Sequence, residues 1–538
     1  MITSAKLKNG SPLGEAIRRA YRAGQEDEAL EPIVKVDAAG RPRGRIAGGD
    51  SVIFYDIRGE REIEITQSLT DPEFSRFPVR SDLNLNFVTM IEYDPALRVR
   101  VAFPKEGKIR NTLAEVLGRA GLRLAKIAES EKAAHIGFFM NGKNEAAFPG
   151  EERFIIPSPE GVANYDQRPE MSASLVAKEI CAKIKDASFD IVIANFANVD
   201  VVGHIENRRA AVQAVKAVDA ELGKVMDEAR SQKATLVVTA DHGTVEEWLY
   251  PDGTIDTGHT KNPVPFILAD FSASNPAAVK LKEAGELADV APTILSILRI
   301  KKPAEMTGKS LVLGPLRKSL KRRKVVLIIL DGWGMREEKT GNLIAEAGTT
   351  NFNALWSQYP RALLRSSGEA VGMPPQTVGN SEAGHLHLGA GRRVLLDRVR
   401  IDKAVEDGSF LKNSAFLWAM DRAGAAEKRL HLMGIISHYS SHGTIEHLFA
   451  LLKMAKNAGL KDVSVHGFIG RRGEKPESGA IYVERVEEMC RTLGVGEVVT
   501  VIGRFWALDR EGNWDRIEKA YRALVYGEET FLTETRKL

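Results

Sequence analysis

The chain has 538 residues, and because a single hydrophobic core rarely grows past about 250–300 residues, two domains are expected. Hydrophobic residues make up 43% of the chain and charged residues 27%, which is typical of a soluble globular protein and excludes a disordered one. The formal net charge of +3 gives no reason to expect a nucleic-acid partner, and the two cysteines, Cys181 and Cys490, exclude a disulfide framework.

Short apolar runs alternate with helical patterns through the middle of the chain. The runs predicted to be strands are DIVIANF (190–196), ATLVVTAD (234–241), VPFILAD (264–270) and VVLIILD (325–331). Continuous apolar runs of this length are typical of parallel strands that helices cover on both faces. Residues 207–231, between the first two runs, carry apolar side chains at helical spacing, as a crossover between parallel strands requires.

The same alternation returns near the C-terminus. Residues 446–459 and 482–494 have helical patterns, and the apolar runs 462–468 and 497–503 predict strands. The fold class predicted from this alternation is α/β, with two doubly wound domains.

The sequence also predicts where the protein resides. The N-terminus lacks the apolar stretch of a signal peptide, and no run approaches the roughly 18 apolar residues of a membrane span. The basic segment 316–324 precedes VVLIIL, but it is internal and six apolar residues are too few, so it is interpreted as a solvated linker. We therefore expect a cytoplasmic protein with no membrane partner.

Acids and histidines collect at the ends of the predicted strands. They are Asp200, His204, Asp241, His242, His259 and Asp331. Ligands of open α/β sheets gather at the carboxyl ends of the strands, and a buried carboxylate there is costly unless it is paired or binds a metal. Each residue alone could be a helix cap, a turn residue or a packed side chain. Together they predict a metal site, and mixed carboxylate and imidazole ligands favour Mn²⁺ or Zn²⁺ over Ca²⁺.

The stretch VGNSEAGH (378–385) places Ser381 between two glycines. Glycines allow a backbone to approach a bulky anion, and a serine beside a metal can ionise and attack phosphorus. The alternative is that Ser381 is the N-cap of a helix. No Glu follows three residues later, so a capping box is not indicated, and we interpret Ser381 as a nucleophile.

Five arginines form a second candidate set. They are Arg58 and Arg61 in DIRGER, Arg472 after HGFIG, and Arg504 and Arg510 in GRFWALDR. The planar guanidinium suits bidentate contact with carboxylate and phosphate. The alternative is that they are solvated surface residues or members of ion pairs.

Several long stretches resemble the cofactor-independent phosphoglycerate mutases of the alkaline phosphatase superfamily. The stretch from VVLIILDGWG to VGNSEAGHLHLGAGRRV resembles the beginning of that family, and NFANVDVVGH, TADHG and HTKNPVPF resemble its later half. LHLMGIISHYSSHGTIEHLFALL and IGRFWALDREGNWDRIEKAYRALVYGEE resemble its middle. Because the family begins at the stretch that starts here near residue 325, the order is that of a circular permutation, joined through the basic linker at 314–324.

The resemblance implies a domain layout. An alkaline-phosphatase-like domain with a dimetal site and a phosphoserine would occupy 107–396. A smaller α/β phosphotransferase domain that binds the substrate would be discontinuous, formed by 1–106 and 397–538 together.

The resemblance also implies residue roles for an enzyme that interconverts 3-phosphoglycerate and 2-phosphoglycerate. Ser381 would carry the phosphate transiently. One cation would be held by Asp331, Ser381, Asp241 and His242, and the other by Asp200, His204 and His259. The substrate clamp in an interdomain cleft would consist of His442, Arg472, Arg504, Arg510, Arg58, Arg61 and Lys132. The cofactors would be two divalent cations, with Mn²⁺ expected first and Zn²⁺, Co²⁺ or Mg²⁺ as alternatives, and no 2,3-bisphosphoglycerate. We expect a monomer whose partner is the small phosphoglycerate substrate.

The chain departs from the family in one region. GRRGEKP (470–476) has Gly473 where the family has an acid that handles the glycerate hydroxyls, and His438 and Tyr439 are new. Glycine cannot transfer a proton, so return of the phosphate needs a substitute such as Glu474, His438 or water. The alternatives are therefore a metal-dependent phosphohydrolase, a phosphomutase of altered substrate, or a non-enzymatic relative.

Overall fold

The structure is a computed structural model that divides into two compact units. It describes residues 11–105, 107–162, 164–273, 275, 279–314, 324–425, 428–437, 440, 442–470, 477–528 and, for the backbone, 531–534. We call Met1–Lys105 with Asp397–Leu538 the split unit and Glu106–Leu396 the continuous unit. Each unit has a hydrophobic core of its own.

Strands and helices alternate along both units. The strands, in chain order, are β1 (Ile33–Val36), β2 (Ser51–Phe54), β3 (Asn86–Ile91), β4 (Arg100–Phe103), β5 (Leu124–Glu129), β6 (Glu151–Ile156), β7 (Ile191–Phe196), β8 (Thr235–Thr239), β9 (Val264–Asp270), β10 (Lys280–Leu281), β11 (Ala284–Glu286), β12 (Val312–Leu313), β13 (Val325–Leu330), β14 (Arg361–Arg365), β15 (Leu430–Ile435), β16 (Val463–Ile469), β17 (Glu497–Gly503) and β18 (Phe531–Glu534). The helices are α1 (Pro12–Arg22), α2 (Ile63–Thr70), α3 (Leu113–Arg119), α4 (Ala173–Lys185), α5 (Asn198–Gly203), α6 (Arg208–Ser231), α7 (Val290–Leu298), α8 (Leu343–Ala347), α9 (Thr350–Gln358), α10 (Ser381–Ala390), α11 (Asp397–Glu406), α12 (Ser414–Ala425), α13 (Ile445–Asn457), α14 (Gly479–Leu493), α15 (Arg504–Ala507) and α16 (Trp514–Val525). Among the described residues, these helices include none that combines the length and the apolar character needed to cross a membrane.

The continuous unit is built on a sheet of order β11-β14-β9-β8-β13-β7-β5-β6. Strand β13 lies between β8 and β7 and is parallel to both. The predicted strands and the predicted helix α6 are confirmed, but the expectation that β9 is parallel is wrong, since β9 runs antiparallel to β8. The connection from β8 to β9 contains a single 3₁₀ turn, so it does not provide the helical crossover that a parallel pair requires. The connection therefore stays at the carboxyl end of β8.

The split unit contains the other large sheet, of order β18-β1-β17-β16-β15-β2-β3-β4. Strands β17, β16, β15, β2, β3 and β4 are parallel neighbours, and β1 is antiparallel to β17. From β15 the chain proceeds to β16 on one side, whereas from β2 it proceeds to β3 on the other side. The carboxyl ends of β15 and β2 thus form a topological switch point, where ligands of doubly wound sheets bind. The α/β class is confirmed.

Candidate active site

Three acids lie at the carboxyl ends of three neighbouring strands of the continuous unit. Asp331 follows β13 directly, Asp241 follows β8 by two residues, and Asp200 lies in the short helix α5 after β7. Their exposures are 0%, 0% and 6%, so the carboxylates are removed from bulk water. Acids at strand ends are expected from the sequence, and the sheet order brings these three together.

Ser381 is the first residue of α10, which places its hydroxyl at a helix N-terminus. The alternative that Ser381 caps this helix is wrong, because the Asn380 side chain occupies the cap and accepts a hydrogen bond from the Ala383 amide at 2.8 Å. The Ser381 side chain therefore does not cap the helix and is available for other contacts. The partial positive charge of a helix N-terminus stabilises an anion at this position.

The Ser381 hydroxyl contacts three ionisable side chains. Lys132 Nζ donates to Ser381 Oγ at 2.7 Å, His242 Nε2 lies 2.9 Å away, and the hydroxyl donates to Asp331 Oδ1 at 3.2 Å. Ser381 itself is only 6% exposed. A hydroxyl surrounded by an ammonium, an imidazole and a carboxylate, with little access to water, is arranged to lose its proton to a neighbour.

Lys132 lies among the acids of the continuous unit. Its ammonium is 2.6 Å from Asp200 Oδ2 and 2.7 Å from Asp331 Oδ1. Burial acts to lower the pKa of Lys132, but the charges of Asp331, Asp200 and Asp241 outweigh it and raise the pKa. Lys132, which the resemblance assigns to the substrate clamp, thus lies among the expected metal ligands of the continuous unit.

His204 and His259 direct their ring nitrogens to one point beside Asp200. Nδ1 of each ring contacts a backbone carbonyl, of Thr257 at 2.7 Å and of Gly379 at 2.8 Å, and a carbonyl can only accept. In the neutral imidazoles Nε2 then carries a lone pair. The two Nε2 atoms are 2.9 Å apart, and each is 3.2 Å from Asp200 Oδ1. Three electron-rich atoms so close together fit a bound cation.

A second group of potential ligands also lies beside Ser381. Asp241, Asp331 and His385 have ligand atoms within 4.8 Å of one another, and His242 groups by the same measure with Asp200 and His259. Burial acts to raise the pKa of Asp241, but the imidazoles of His242 and His385 hold it well below its usual range. His242 Nε2 is 3.6 Å from Asp200 Oδ1, from Asp241 Oδ2 and from Asp331 Oδ1, so this imidazole lies between the two groups.

Sequence reasoning missed two residues of this second group. His385 Nδ1 is 3.2 Å from Asp241 Oδ2, and the Asn195 amide donates to Asp331 Oδ2 at 2.7 Å. His385 could have been found from its position one helical turn after Ser381, and Asn195 from being polar within the apolar run DIVIANF.

Each of the two groups contains a buried carboxylate oxygen that has no hydrogen bond to a described residue. These oxygens are Asp200 Oδ1 and Asp241 Oδ2. An unsatisfied buried carboxylate oxygen is strongly unfavourable unless a cation neutralises it. The residues therefore fit two divalent cations, and oxygen and nitrogen donors together favour Mn²⁺ or Zn²⁺.

A cleft of about 540 Å³ opens onto this site within the continuous unit. Its lining includes Lys132, His204, His259 and Ser381. The volume accommodates a phosphate ester of a small molecule.

Four of the five predicted arginines converge in the split unit. The pKa of Arg61 is lowered by its burial and by the positive charges of Arg510, Arg504 and Arg58. Like charges held together in this way favour an anionic ligand. Arg472, with Gly473, Glu474, His438 and Tyr439, lies outside the described residues.

Carboxylates neutralise only part of this arginine cluster. Glu60 Oε2 contacts Arg510 at 2.6 Å and Arg58 at 3.4 Å, and Glu28 contacts Arg504 at 2.8 Å. Arg61 donates to the Leu508 carbonyl at 3.0 Å. The alternative that the arginines form ion pairs is therefore correct in part for Arg58, Arg504 and Arg510.

His442 is buried within the split unit, and its Nδ1 is 2.6 Å from Glu62 Oε1. Burial, together with the charges of Arg504, Arg58 and Arg61, lowers the pKa of His442 to about 4 against the opposing charge of Asp56. The imidazole is therefore neutral near pH 7. Sequence reasoning missed both Glu62 and Asp56, because they flank the arginines in DIRGERE as ordinary surface acids would.

The sequence is similar to known families and proteins. The model of the Metalloenzyme superfamily matches residues 17–302, and the model described as the N-terminus of BPG-independent PGAM matches residues 401–537. A 2,3-bisphosphoglycerate-independent phosphoglycerate mutase of Thermomicrobium roseum is 48% identical over 309 residues, which are 57% of this chain and 58% of the relative. The enzyme of the same name from Moorella thermoacetica is 44% identical over 312 residues, 58% of this chain and 59% of the relative.

The chain thus spans less than two thirds of the length of these curated relatives. A solved structure of Leishmania mexicana phosphoglycerate mutase matches 52% of this chain and 53% of its own, with 26% identity and a TM-score of 0.36.

Proposed function

This chain belongs to the Metalloenzyme superfamily, and we propose that it is a phosphoglycerate mutase that interconverts 3-phosphoglycerate and 2-phosphoglycerate through a phosphoserine at Ser381. The observation that carries the proposal is the contact of the Ser381 hydroxyl with Lys132, His242 and Asp331 at a helix N-terminus. The names of the relatives, and the match to the PGAM N-terminal model, support the choice of substrate.

The proposed reaction has two transfers. Ser381 Oγ loses its proton to a neighbour and attacks the phosphorus of 3-phosphoglycerate, so that the Oγ–P bond forms, the bond from phosphorus to O3 breaks, and O3 takes up a proton. The glycerate then reorients, and its O2 hydroxyl gives up its proton and attacks the phosphoserine, so that the P–O2 bond forms, the Oγ–P bond breaks and Ser381 Oγ takes up a proton. The Lys132 ammonium, 2.7 Å from Oγ, stabilises negative charge on the serine oxygen and on the phosphoryl group.

Two divalent cations are part of the proposal, with Mn²⁺ first and Zn²⁺, Co²⁺ or Mg²⁺ as alternatives. Asp200, His204 and His259 would hold one. Asp331, Asp241, His242 and Ser381 are proposed for the other, with His385 next to Asp241. When bound, such cations lower the pKa of a coordinated hydroxyl and neutralise charge on a transferring phosphoryl group.

The arginines are proposed to bind the anionic groups of the glycerate. The convergence of Arg58, Arg61, Arg504 and Arg510 supports this role. Guanidinium groups recognise carboxylate and phosphate in a fixed orientation, and phosphoryl transfer depends mainly on such positioning. Arg472 is assigned to the same role by resemblance alone.

We also propose that the chain is a circularly permuted member of the mutases. The model of the PGAM N-terminus matches 401–537, after the Metalloenzyme match at 17–302, and this order supports the permutation. The domain layout of 107–396 and 1–106 with 397–538 then follows. A gene that encodes 325–538 followed by 1–314 should yield a protein of unchanged thermal stability and activity; failure of that protein to fold would contradict the permutation.

The remaining parts of the proposal concern the oligomeric state, the cofactor requirement and the location in the cell. We propose a monomer that needs no 2,3-bisphosphoglycerate and works in the cytoplasm, where a chain with two free cysteines stays reduced.

The first experiment supplies the purified protein with Mn²⁺ and 3-phosphoglycerate and follows 2-phosphoglycerate and free phosphate together. We expect 2-phosphoglycerate, with a loss of about 10³-fold or more in Ser381→Ala. Ser357→Ala is the matched control, because the hydroxyl of this exposed serine bonds only the Asn353 and Ala354 carbonyls among the described residues. Free phosphate without 2-phosphoglycerate would favour the phosphohydrolase, and neither product would favour a non-enzymatic relative.

A further inference from the structure

A third group of carboxylate and imidazole ligands lies in the split unit. Asp56 comes two residues after β2, Glu62 immediately precedes α2, and His442 lies in the connection that follows β15. Strands β2 and β15 are parallel neighbours, with Phe54 opposite Met433. The group therefore lies at the topological switch point of this sheet, the usual place for a bound ligand.

The three side chains are close together and almost completely buried. Their ligand atoms lie within 4.8 Å of one another, by the same measure that groups the ligands beside Ser381. Asp56 and Glu62 are 0% exposed and His442 is 1% exposed. Two neighbouring carboxylates without access to water repel each other, so a cation or a shared proton has to be present.

One oxygen of this group has no hydrogen bond to any described residue. Asp56 Oδ1 accepts from the Ile435 amide at 2.8 Å, but Asp56 Oδ2 is buried and unpartnered. The two groups beside Ser381 each contain one such oxygen, on Asp200 and on Asp241. All three groups thus share a buried aspartate with one oxygen left for a ligand.

The backbone around Asp56 holds its carboxylate in place. A Cβ on Gly434 would lie 2.6 Å from Asp56 Oδ1, so β15 can approach the carboxylate only because this residue is glycine. The Tyr93 hydroxyl donates to the Asp56 carbonyl at 2.7 Å. A carboxylate fixed by a strand and a neighbouring hydroxyl is preorganised to bind an ion.

We propose that Asp56, Glu62 and His442 form a third divalent cation site, distinct from the two beside Ser381. Two carboxylates and one neutral imidazole suit Mn²⁺, Co²⁺ or Zn²⁺, and they leave coordination positions for water or an anionic ligand. Arg58, Arg61 and Arg504 are positive groups near His442, and the two carboxylates balance the charge of the ion itself.

The observed distances need little change to admit an ion. His442 Nδ1 and Glu62 Oε1 are 2.6 Å apart, a hydrogen-bond distance. Atoms bound to one such ion at about 2.0–2.2 Å are separated by about 3 Å. The ion would therefore displace the proton between them and move them apart by a few tenths of an ångström. The corresponding atoms of His204 and His259 are already 2.9 Å apart.

The test is metal counting on the full chain, and it does not depend on mutase activity. Protein stripped with EDTA, loaded with Co²⁺ and freed of excess would be measured by native mass spectrometry. We expect about three Co²⁺ per chain, and about two in Glu62→Gln and in Asp56→Asn. Replacement of His204 and Asp241 by Asn should leave the third ion in place.

Glu60→Gln is the matched control, because Glu60 lies two residues from Glu62 but is exposed and contacts only arginines among the described residues. It should retain about three ions.

Anomalous diffraction from Co²⁺-loaded wild-type crystals provides a second measurement if a variant does not fold, with a peak expected between Asp56, Glu62 and His442. Two ions in saturated wild-type protein, or three in folded Glu62→Gln, would overturn the proposal and indicate a shared proton instead.

Discussion

The two units bring charged side chains together in opposite ways. Beside Ser381 in the continuous unit, three buried carboxylates surround one ammonium, and the site is negative without cations. In the split unit, four arginines converge with two partly exposed glutamates as their partners among the described residues. The first arrangement favours cations and reaction at phosphorus, whereas the second favours an anionic small molecule. The proposed chemistry and the proposed recognition of the substrate therefore belong to different units.

The largest expected effect comes from removing the two cations that are proposed to support phosphoryl transfer beside Ser381. EDTA should lower the formation of 2-phosphoglycerate by about 10³-fold or more, and Mn²⁺ should restore it, because the carboxylates beside Ser381 would then lack their counter-charge. EDTA premixed with excess Mn²⁺ is the control. Full activity after exhaustive chelation would show that the transfer needs no cation, and it would contradict the contrast drawn between the two units.

The next effect concerns the ammonium within the acidic site. Lys132→Met should lower the free energy of unfolding of the metal-free protein by about 3–5 kcal/mol, because three buried carboxylates lose their positive partner. Mn²⁺ should reduce that loss. Urea titration with and without EDTA measures both values. Lys105→Met, which removes a solvent-accessible ion pair with Glu92, should change stability by less than about 1 kcal/mol; an equal effect of the two variants would contradict this account.

A smaller effect is expected in the arginine cluster. Arg61→Ala should raise KM for 3-phosphoglycerate by about 10–100-fold with a lesser change in kcat, because a group that binds substrate and transition state alike is lost. Steady-state kinetics in both directions would measure this. Arg41→Ala removes an exposed arginine paired with Asp37 and should leave KM unchanged. A fall in kcat at constant KM would instead place Arg61 in the transfer step.

The last effect is a pH dependence of stability that arises in the core of the split unit. His431 Nδ1 is 2.9 Å from His466 Nε2, and burial lowers the pKa of both rings from 6.5. A lowered pKa means that the unfolded chain takes up the proton first, so stability is full above about pH 6.5 and falls below it, by about 1.4 kcal/mol per pH unit for each ring. Hydrogen exchange of β15 and β16 at pH 7.5 and 5.5 should reveal the loss, and His466→Asn should reduce it. Equal protection at both pH values would contradict it.

The strands and the acids that follow them could be predicted because they depend on local pattern. VVLIIL and Asp331 indicate a buried strand and a polar end without reference to any other part of the chain. The direction of β9 could not be predicted in this way, since its neighbours in the sheet are decided by a connection of irregular structure.

The site was predictable in part for the same reason. The spacing of Asp200 and His204 already indicates one helical face, and α5 confirms it. The position of Lys132 among the acids depends on contacts across 68 and 199 residues of sequence, which no local pattern encodes. Glu62 and Asp56 could not be identified as site residues from the sequence, because their burial beside His442 depends on the fold.

The pairing of β2 with β15 has a consequence for how the protein is made. The hydrogen bond from Ile435 to Asp56 joins residues 379 positions apart, and the whole continuous unit is synthesised between them. A ribosome adds about 5–20 residues per second, so roughly 20–75 s pass between the synthesis of β2 and that of its partner β15. During that time the continuous unit can fold, whereas β2, β3 and β4 present an unpaired edge to the cell. Aggregation during synthesis, and any dependence on chaperones, should therefore arise from the first hundred residues of the chain.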